Sequence, residues 1–320
     1  DRIWADQPAP PMSKAKVHPL EFAGESHAAK RERLGQALKD AGQTAAVITL
    51  PDSHNWLLNI RGADIPRNPV AHGFAVLHAD GKVDLFMALS KLDGLDDHLG
   101  AEVTQHDPDT LLGYLGTLEG PVRLDKTTVP MIIADTLDGR AIWGDDPCAL
   151  PKACKNAAEI AGSAQAHLRD GAALCELLAW LDVQAPGSIT ETQVVSQLEA
   201  SRRKDNALQD ISFETIAGTG PNGAIMHYRV TTETDSTLED GQLLVLDSGG
   251  QYLDGTTDIT RTVPIGMPPQ EARAAFTRVL ACMIAMSRLR WPVGLAGSHI
   301  EAVGRMPLWL AGQDFDHGLG

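Results

Sequence analysis

The stretch from Leu243 to Thr262 constrains this chain most. Four apolar residues, Leu243-Leu244-Val245-Leu246, run directly into Asp247, and Ser248-Gly249-Gly250 then lets the backbone turn. Thr256-Thr257-Asp258-Ile259-Thr260-Arg261-Thr262 follows in strand-forming residue types. The pattern predicts a buried strand joined to a second strand in a ribbon. Because side chains alternate along a strand, Asp258 shares a face with Thr256, Thr260 and Thr262. Two carboxylates brought together at the end of such a ribbon repel each other, and burying them requires compensation. A cation is the simplest source. Hard oxygen ligands suit Mn²⁺, Mg²⁺ or Ca²⁺, and mixed histidine–carboxylate sites also take Zn²⁺ or Co²⁺. Spacing alone leaves the alternative that both aspartates decorate solvated turns. Asp247 to Asp258 also has the twelve-residue length of an EF-hand loop, but Tyr252 replaces the sixth-position glycine and Asp258 the final glutamate, which rejects a calcium loop.

The rest of the chain sets the context for this ribbon. Its 320 residues suggest two domains, and 43% hydrophobic against 22% charged residues is enough apolar material for a real core. No run approaches the roughly 20 apolar residues of a membrane span. The net charge of −15 is shared by both halves, which argues against nucleic-acid and anionic-membrane partners. Cys148, Cys154, Cys175 and Cys282 form no CxxC pair and are expected to be free thiols in a reducing cytoplasm.

Residues 1–26, with Pro8, Pro10, Pro11 and Pro19, predict an extended arm. A helix over Ala28 to Ala41, a strand over Ala45 to Leu50, and a hairpin of Gly73–Leu77 and Val83–Met87 around Ala79-Asp80-Gly81 then predict an α/β domain ending near residue 150. Beyond it, capping boxes at Asn156/Glu159 and Ser188/Glu191 predict two helices. Strands are expected at Ile211–Ile216, Ile225–Val230, Leu243–Leu246 and Ile259–Val263, with helices at Gln270–Leu289 and His299–Leu310. This order predicts an α+β domain with a largely antiparallel sheet.

Gly218-Thr219-Gly220-Pro221-Asn222-Gly223 fits G-x-G-x-x-G, but strand-like residues follow where a dinucleotide site needs a helix, and Pro221 removes a donor. A glycine-rich turn is the better interpretation. His227 is expected in mid-strand, and His317 in a loop. By pattern alone both are structural residues, Trp56 a core residue and Arg61 a surface residue.

Asp247 to Thr262 closely resembles the signature of Xaa-Pro aminopeptidases, members of the pita-bread metallopeptidases together with prolidase, creatinase and methionine aminopeptidase. Trp4-Ala-Asp-Gln-Pro-Ala-Pro-Pro11, Trp56-Leu-Leu-Asn-Ile-Arg-Gly-Ala-Asp64, Leu150-Pro-Lys-Ala-Cys-Lys-Asn156 and Asn222-Gly-Ala-Ile-Met-His-Tyr-Arg229 are similar to family segments in the same order. The resemblance implies a fold class of an α/β creatinase-N-terminal-like domain followed by an incomplete α+β pita-bread catalytic domain. Residues 1–26 would be the connector from a missing first domain, 27–150 the second, non-catalytic domain, and 151–320 the N-terminal part of the pita-bread domain. Of the family's five ligands to two divalent metals, Asp247 and Asp258 match the two aspartates. His227 matches a non-ligand active-site histidine, and His317 the first histidine of a His-Gly-x-Gly-His motif. The histidine and two glutamate ligands would then lie beyond Gly320, making these 320 residues inactive by themselves. The implied activity is release of the N-terminal residue from peptides with proline second, by a cytoplasmic homodimer using Mn²⁺, or else Zn²⁺ or Co²⁺. A prolidase-like dipeptidase and a non-catalytic module that binds peptides or proteins are the alternatives. The two aspartates argue against creatinase.

Overall fold

A computed structural model describes Trp4 and residues 6–319. Residues 1–3, Ala5 and Gly320, and with them both ends considered above, lie outside the described residues. In chain order the elements begin with β1 (Lys16–Val17), α1 (Leu20–Ala23), α2 (His27–Asp40), β2 (Ala45–Ile48), α3 (Pro51–Leu58) and β3 (Ile60–Arg61). Next come β4 (Phe74–His78), β5 (Val83–Phe86), α4 (Asp96–Leu99), β6 (Val103–His106), α5 (Leu111–Thr117) and β7 (Val122–Leu124). They continue with α6 (Met131–Leu137), β8 (Ala141–Trp143), α7 (Ala149–Ala153), α8 (Ala157–Asp182), α9 (Glu191–Arg202) and β9 (Asp210–Ile211). The last are β10 (Ile216–Thr219), β11 (Leu243–Ser248), β12 (Gly250–Gln251), β13 (Ile259–Pro264), α10 (Gln270–Arg288) and α11 (Gly297–Trp309). No helix among the described residues is long and apolar enough to cross a membrane.

Two compact units result, Asp1–Asp170 with Ala207–Ser212 and Gly250–Thr257, and Gly171–Asn206 with Phe213–Gly249 and Asp258–Gly320. The first contains a six-stranded mixed sheet in the order β6-β5-β4-β2-β7-β8. Strand β2 is buried on both faces, which is why its sequence is an unbroken apolar run. Ala46 and Ile48 face Leu34, Leu38, Leu57 and Leu58 of α2 and α3. Ala45 and Val47 face Leu111, Leu115, Ile133 and Leu137 of α5 and α6. The expected hairpin is present, β4 and β5 pairing antiparallel with Gly81 in the left-handed region at φ 84°. The expected Asn156/Glu159 box also closes reciprocally, at 2.8 and 3.0 Å.

Residues 1–26 are not wholly an arm. Val17 and Lys16 pair with Ile60 and Arg61, and α1 follows, because Ala15 and Ala23 bury their side chains. The prolines bracket this structure without preventing it.

In the second unit β10, β11 and β13 form an antiparallel sheet, as expected. Leu177 and Leu181 of α8 and Val194 and Leu198 of α9 cover one face, against Ala217, Leu244 and Leu246. Three local expectations fail. The Ile211–Ile216 strand is split into β9 and β10, with bends between them. The second cap falls at Thr190, whose N–H donates to Gln193 Oε1 at 2.9 Å, while Ser188 bonds back to Ala185. Residues 225–230 form no strand: Gly220–Ala224 is a 3₁₀ turn, and His227 follows it at φ 52°.

One half-buried carboxylate of the first unit has its pKa shifted in an informative direction. Asp84 on β5 accepts from His106 Nε2 at 2.6 Å, His78 Nε2 at 2.8 Å and the Tyr114 hydroxyl. Burial pushes its carboxyl up, but the hydrogen bonds from His78, Tyr114 and His106 outweigh it and hold the pKa at about 2. A depressed carboxyl pKa contributes stability above its unfolded value, and this is lost as pH falls through the folded one. Asp84→Asn should therefore lower the urea midpoint at neutral pH, with the gap to the parent narrowing between about pH 4 and about pH 2. A gap unchanged across that window would show that Asp84 is not the titrating group.

Candidate metal centre

The register of β11 against β13 builds this site. Asp247 lies opposite Thr260, and Ser248 opposite Ile259. Directly opposed residues share a face, and so do residues two apart, so Asp258 joins Asp247 on one face of the ribbon. Leu244, Leu246 and Ser248 occupy the other face and are buried. The expectation of a strand buried throughout is thus half right: helices cover one face, leaving Leu243, Val245 and Asp247 half-buried on the other.

The electrostatics of the pair are those of a site lacking positive charge. Burial pushes the Asp247 carboxyl above its usual range, and the adjacent Asp258 carboxylate pushes the same way. A hydrogen bond from Thr260 and the nearby His227 oppose them. Asp247 Oδ1 is buried with no hydrogen-bond partner. A donor oxygen left bare beside a second carboxylate is what a divalent cation would satisfy, so these two residues fit a hard-metal site. Among the described residues no group of three or more His, Cys, Asp or Glu side chains converges as a metal-ready set. The aspartates therefore form a partial donor set.

His227 is exposed beside this pair, in a turn rather than the expected strand. A positive φ is uncommon for a residue other than glycine and costs of order 1 kcal/mol, so the surroundings must hold it. Glu191 supplies the hold. Fully buried at the first position of α9, its carboxylate accepts from Thr219 N at 2.7 Å, Asn222 Nδ2 at 3.0 Å, Tyr228 OH at 3.0 Å and Ser236 N at 3.2 Å. Both ends of the His227 turn are thereby tied to one carboxylate. On the turn after Asp247, buried Arg202 donates to Ser248 Oγ at 3.0 Å.

No hydrogen bond among the described residues joins His317 to Asp247, Asp258 or His227. It is exposed, with Nδ1 2.7 Å from Gly318 O and its ring 4.4 Å from that of Phe315. Asp247, Asp258 and His227 are brought together, and among the described residues His317 makes its contacts within its own loop. Sequence reasoning missed Glu191 and Arg202. Glu191 was legible only as a helix cap, and Arg202 as one base at a helix end.

The glycine-rich segment is a turn, as expected. Gly218 packs so closely on the 3₁₀ turn that a Cβ there would lie 2.9 Å from the backbone of Asn222. No α-helix opens there to receive a pyrophosphate.

Known proteins resemble this chain along its whole length. Residues 6–159 match the creatinase/prolidase N-terminal domain, and residues 161–320 match metallopeptidase family M24. A probable Xaa-Pro aminopeptidase P of Laccaria bicolor is 38% identical over 332 residues, covering all of this chain and 51% of the relative. Aminopeptidase P2 of Arabidopsis thaliana is 34% identical, again over all of this chain and 50% of its own length. The chain thus spans about half the length of the curated relatives it matches. The crystal structure of an X-prolyl aminopeptidase from Caenorhabditis elegans, described as a cytosolic enzyme with a di-nuclear active site, superimposes with a TM-score of 0.90 at 31% identity. It covers 99% of this chain and 54% of that one. A prolidase from Pyrococcus horikoshii shares the fold, with a TM-score of 0.71 at 18% identity over 91% of this chain and 80% of its own. With a creatinase/prolidase N-terminal domain followed by a match over half of its length, this chain belongs to metallopeptidase family M24.

Proposed function

We propose that this chain is part of a metal-dependent aminopeptidase that releases the N-terminal residue from peptides with proline second. The observation that carries the proposal is the Asp247–Asp258 pair, with a bare buried oxygen, in a chain similar along its whole length to Xaa-Pro aminopeptidases. The two carboxylates would hold divalent ions, Mn²⁺ foremost and Zn²⁺ or Co²⁺ as alternatives. Such ions, when bound, lower the pKa of water to give hydroxide near neutral pH and polarise the scissile carbonyl.

The chain's own residues supply the remaining roles. Thr260 orients Asp247 by hydrogen bonding its carboxylate. His227, presented by a turn that Glu191 ties down, donates a hydrogen bond to the peptide or to the oxyanion that develops on its carbonyl. His317 contributes in the same way, as the resemblance implies. The complete enzyme is proposed to be a cytoplasmic homodimer, and the 320 residues taken alone to be inactive.

Three measurements test this proposal. Full-length protein carrying Asp258→Asn should lose turnover of an Arg-Pro-Pro peptide, the parent being inhibited by chelation and restored by Mn²⁺; wild-type turnover in the variant would remove the ligand role. Cleavage of Xaa-Pro dipeptides alone would instead indicate a prolidase-like dipeptidase. Clear turnover by the 320-residue chain with added Mn²⁺ would show that the ligand set is misassigned. Glu191→Gln in the full-length protein should lower kcat about tenfold or more with its metal affinity unchanged, since a charge-assisted hydrogen bond contributes about 1.5–3 kcal/mol. An unchanged kcat in that variant would separate the His227 turn from catalysis.

A further inference from the structure

The first unit encloses a cavity of about 540 Å³, walled by α3, β3, the α7–α8 junction and the 251–256 turn. Among the described residues two of its cations, Arg61 and Lys30, form no ion pair, although Glu159 and Glu25 act on Lys30 through their fields. Arg61 is half-buried, and the contact its guanidinium makes is to an imidazole, Nη2 to His18 Nε2 at 3.5 Å. Lys30 is 1% exposed, yet its Nζ donates to Trp56 O at 2.9 Å and Asn59 Oδ1 at 2.7 Å and stands 4.2 Å from the Trp56 ring centroid. All of these partners are neutral. Burial, together with the fields of Arg61 and Lys30, holds the His18 pKa down at about 4, so its imidazole brings no further charge at neutral pH. Lys152 and Lys155 line the same wall.

The carboxylates nearby do not balance these cations. Asp254 is held by Arg169 through two bonds at 3.0 and 3.2 Å, and Glu25 pairs with Arg33, whereas Glu159 caps α8 and its charge favours the Lys30 ammonium. Asp52 and Glu159 remain, against Lys30, Arg61, Lys152 and Lys155. Burying an ammonium against neutral acceptors is costly unless an anion compensates it. His18 Nδ1 and Trp56 Nε1 are also buried without hydrogen-bond partners, so the polar wall is incomplete as it stands.

We propose that this cavity binds a small oxyanion, a phosphate or carboxylate group, gripped by the Arg61 guanidinium and neutralised by Lys30, Lys152 and Lys155. The planar fork of an arginine matches two oxygens of such a group, and flexible lysines add charge without fixing geometry. The proposal does not rest on the proposed peptidase chemistry.

Titration of the 320-residue chain with inorganic phosphate, with acetate as the carboxylate arm and sodium chloride matched for ionic strength, tests the proposal. Phosphate or acetate should raise the Tm saturably and change tryptophan fluorescence, with no such response to chloride; the stronger arm identifies the group. Arg61→Gln should weaken binding about tenfold or more. Should Arg61→Gln fail to fold, Lys155→Gln, at an exposed side chain, decides: it should weaken binding without changing the Tm of the ligand-free protein. Absence of a saturable response to both anions, or unaltered binding in the folded variants, would overturn the proposal.

Discussion

Pairing of β11 with β13 in one register is the constraint on which the second unit depends. Leu244 and Leu246 must face α8 and α9, and this sends Asp247 to the opposite face. Thr260 opposes Asp247 directly, so Asp258, two residues earlier, falls on that face as well. A slip of one residue of β11 would part the two carboxylates and turn Leu244 and Leu246 outward, and a slip of β13 would part the carboxylates. Apolar packing and the pairing of the two carboxylates are therefore specified by the same alternation.

That arrangement carries electrostatic costs, and the surrounding residues show how they are contained. Asp247 is raised by burial and by Asp258, and its Oδ1 is left bare. Arg202 secures the turn after Asp247 through Ser248, away from the carboxylates themselves. Glu191, another buried carboxylate, is satisfied within the protein by four separate donor groups. The contrast is chemical: a carboxylate surrounded by N–H and O–H donors serves the framework, whereas one left beside another carboxylate is suited to a ligand.

The first unit shows the same logic with the sign reversed. Asp84 is surrounded by two histidines and a tyrosine and is complete. Lys91 and Asp64 form a buried ion pair. Among the described residues Arg61 and Lys30 form no such ion pair, and they share one cavity.

Much of this was legible in the order of residues. Periodicity marked α2, β2, the β4–β5 hairpin and β11 because each buries a stripe or face of apolar side chains; it marked β13 and α10 as well, although among the described residues α10 buries only Cys282. The paired aspartates were visible because alternation along a strand is a local property. What sequence could not decide was everything set by contacts across the chain. The Ile225–Val230 run looks like a strand, but Glu191 gathers Thr219, Asn222, Tyr228 and Ser236 around one carboxylate and folds the run into a turn. Ser188 and Glu191 have the spacing of a cap, yet Thr190 takes that role once Glu191 is drawn into the core. Arg61 reads as a surface charge until the fold places it, with buried Lys30, beside a cavity. The sequence by itself determined the strand alternation and the charges placed on it. Only the tertiary structure decided which charges meet a partner, because desolvation and hydrogen bonding depend on what surrounds a group in space, not on its neighbours along the chain.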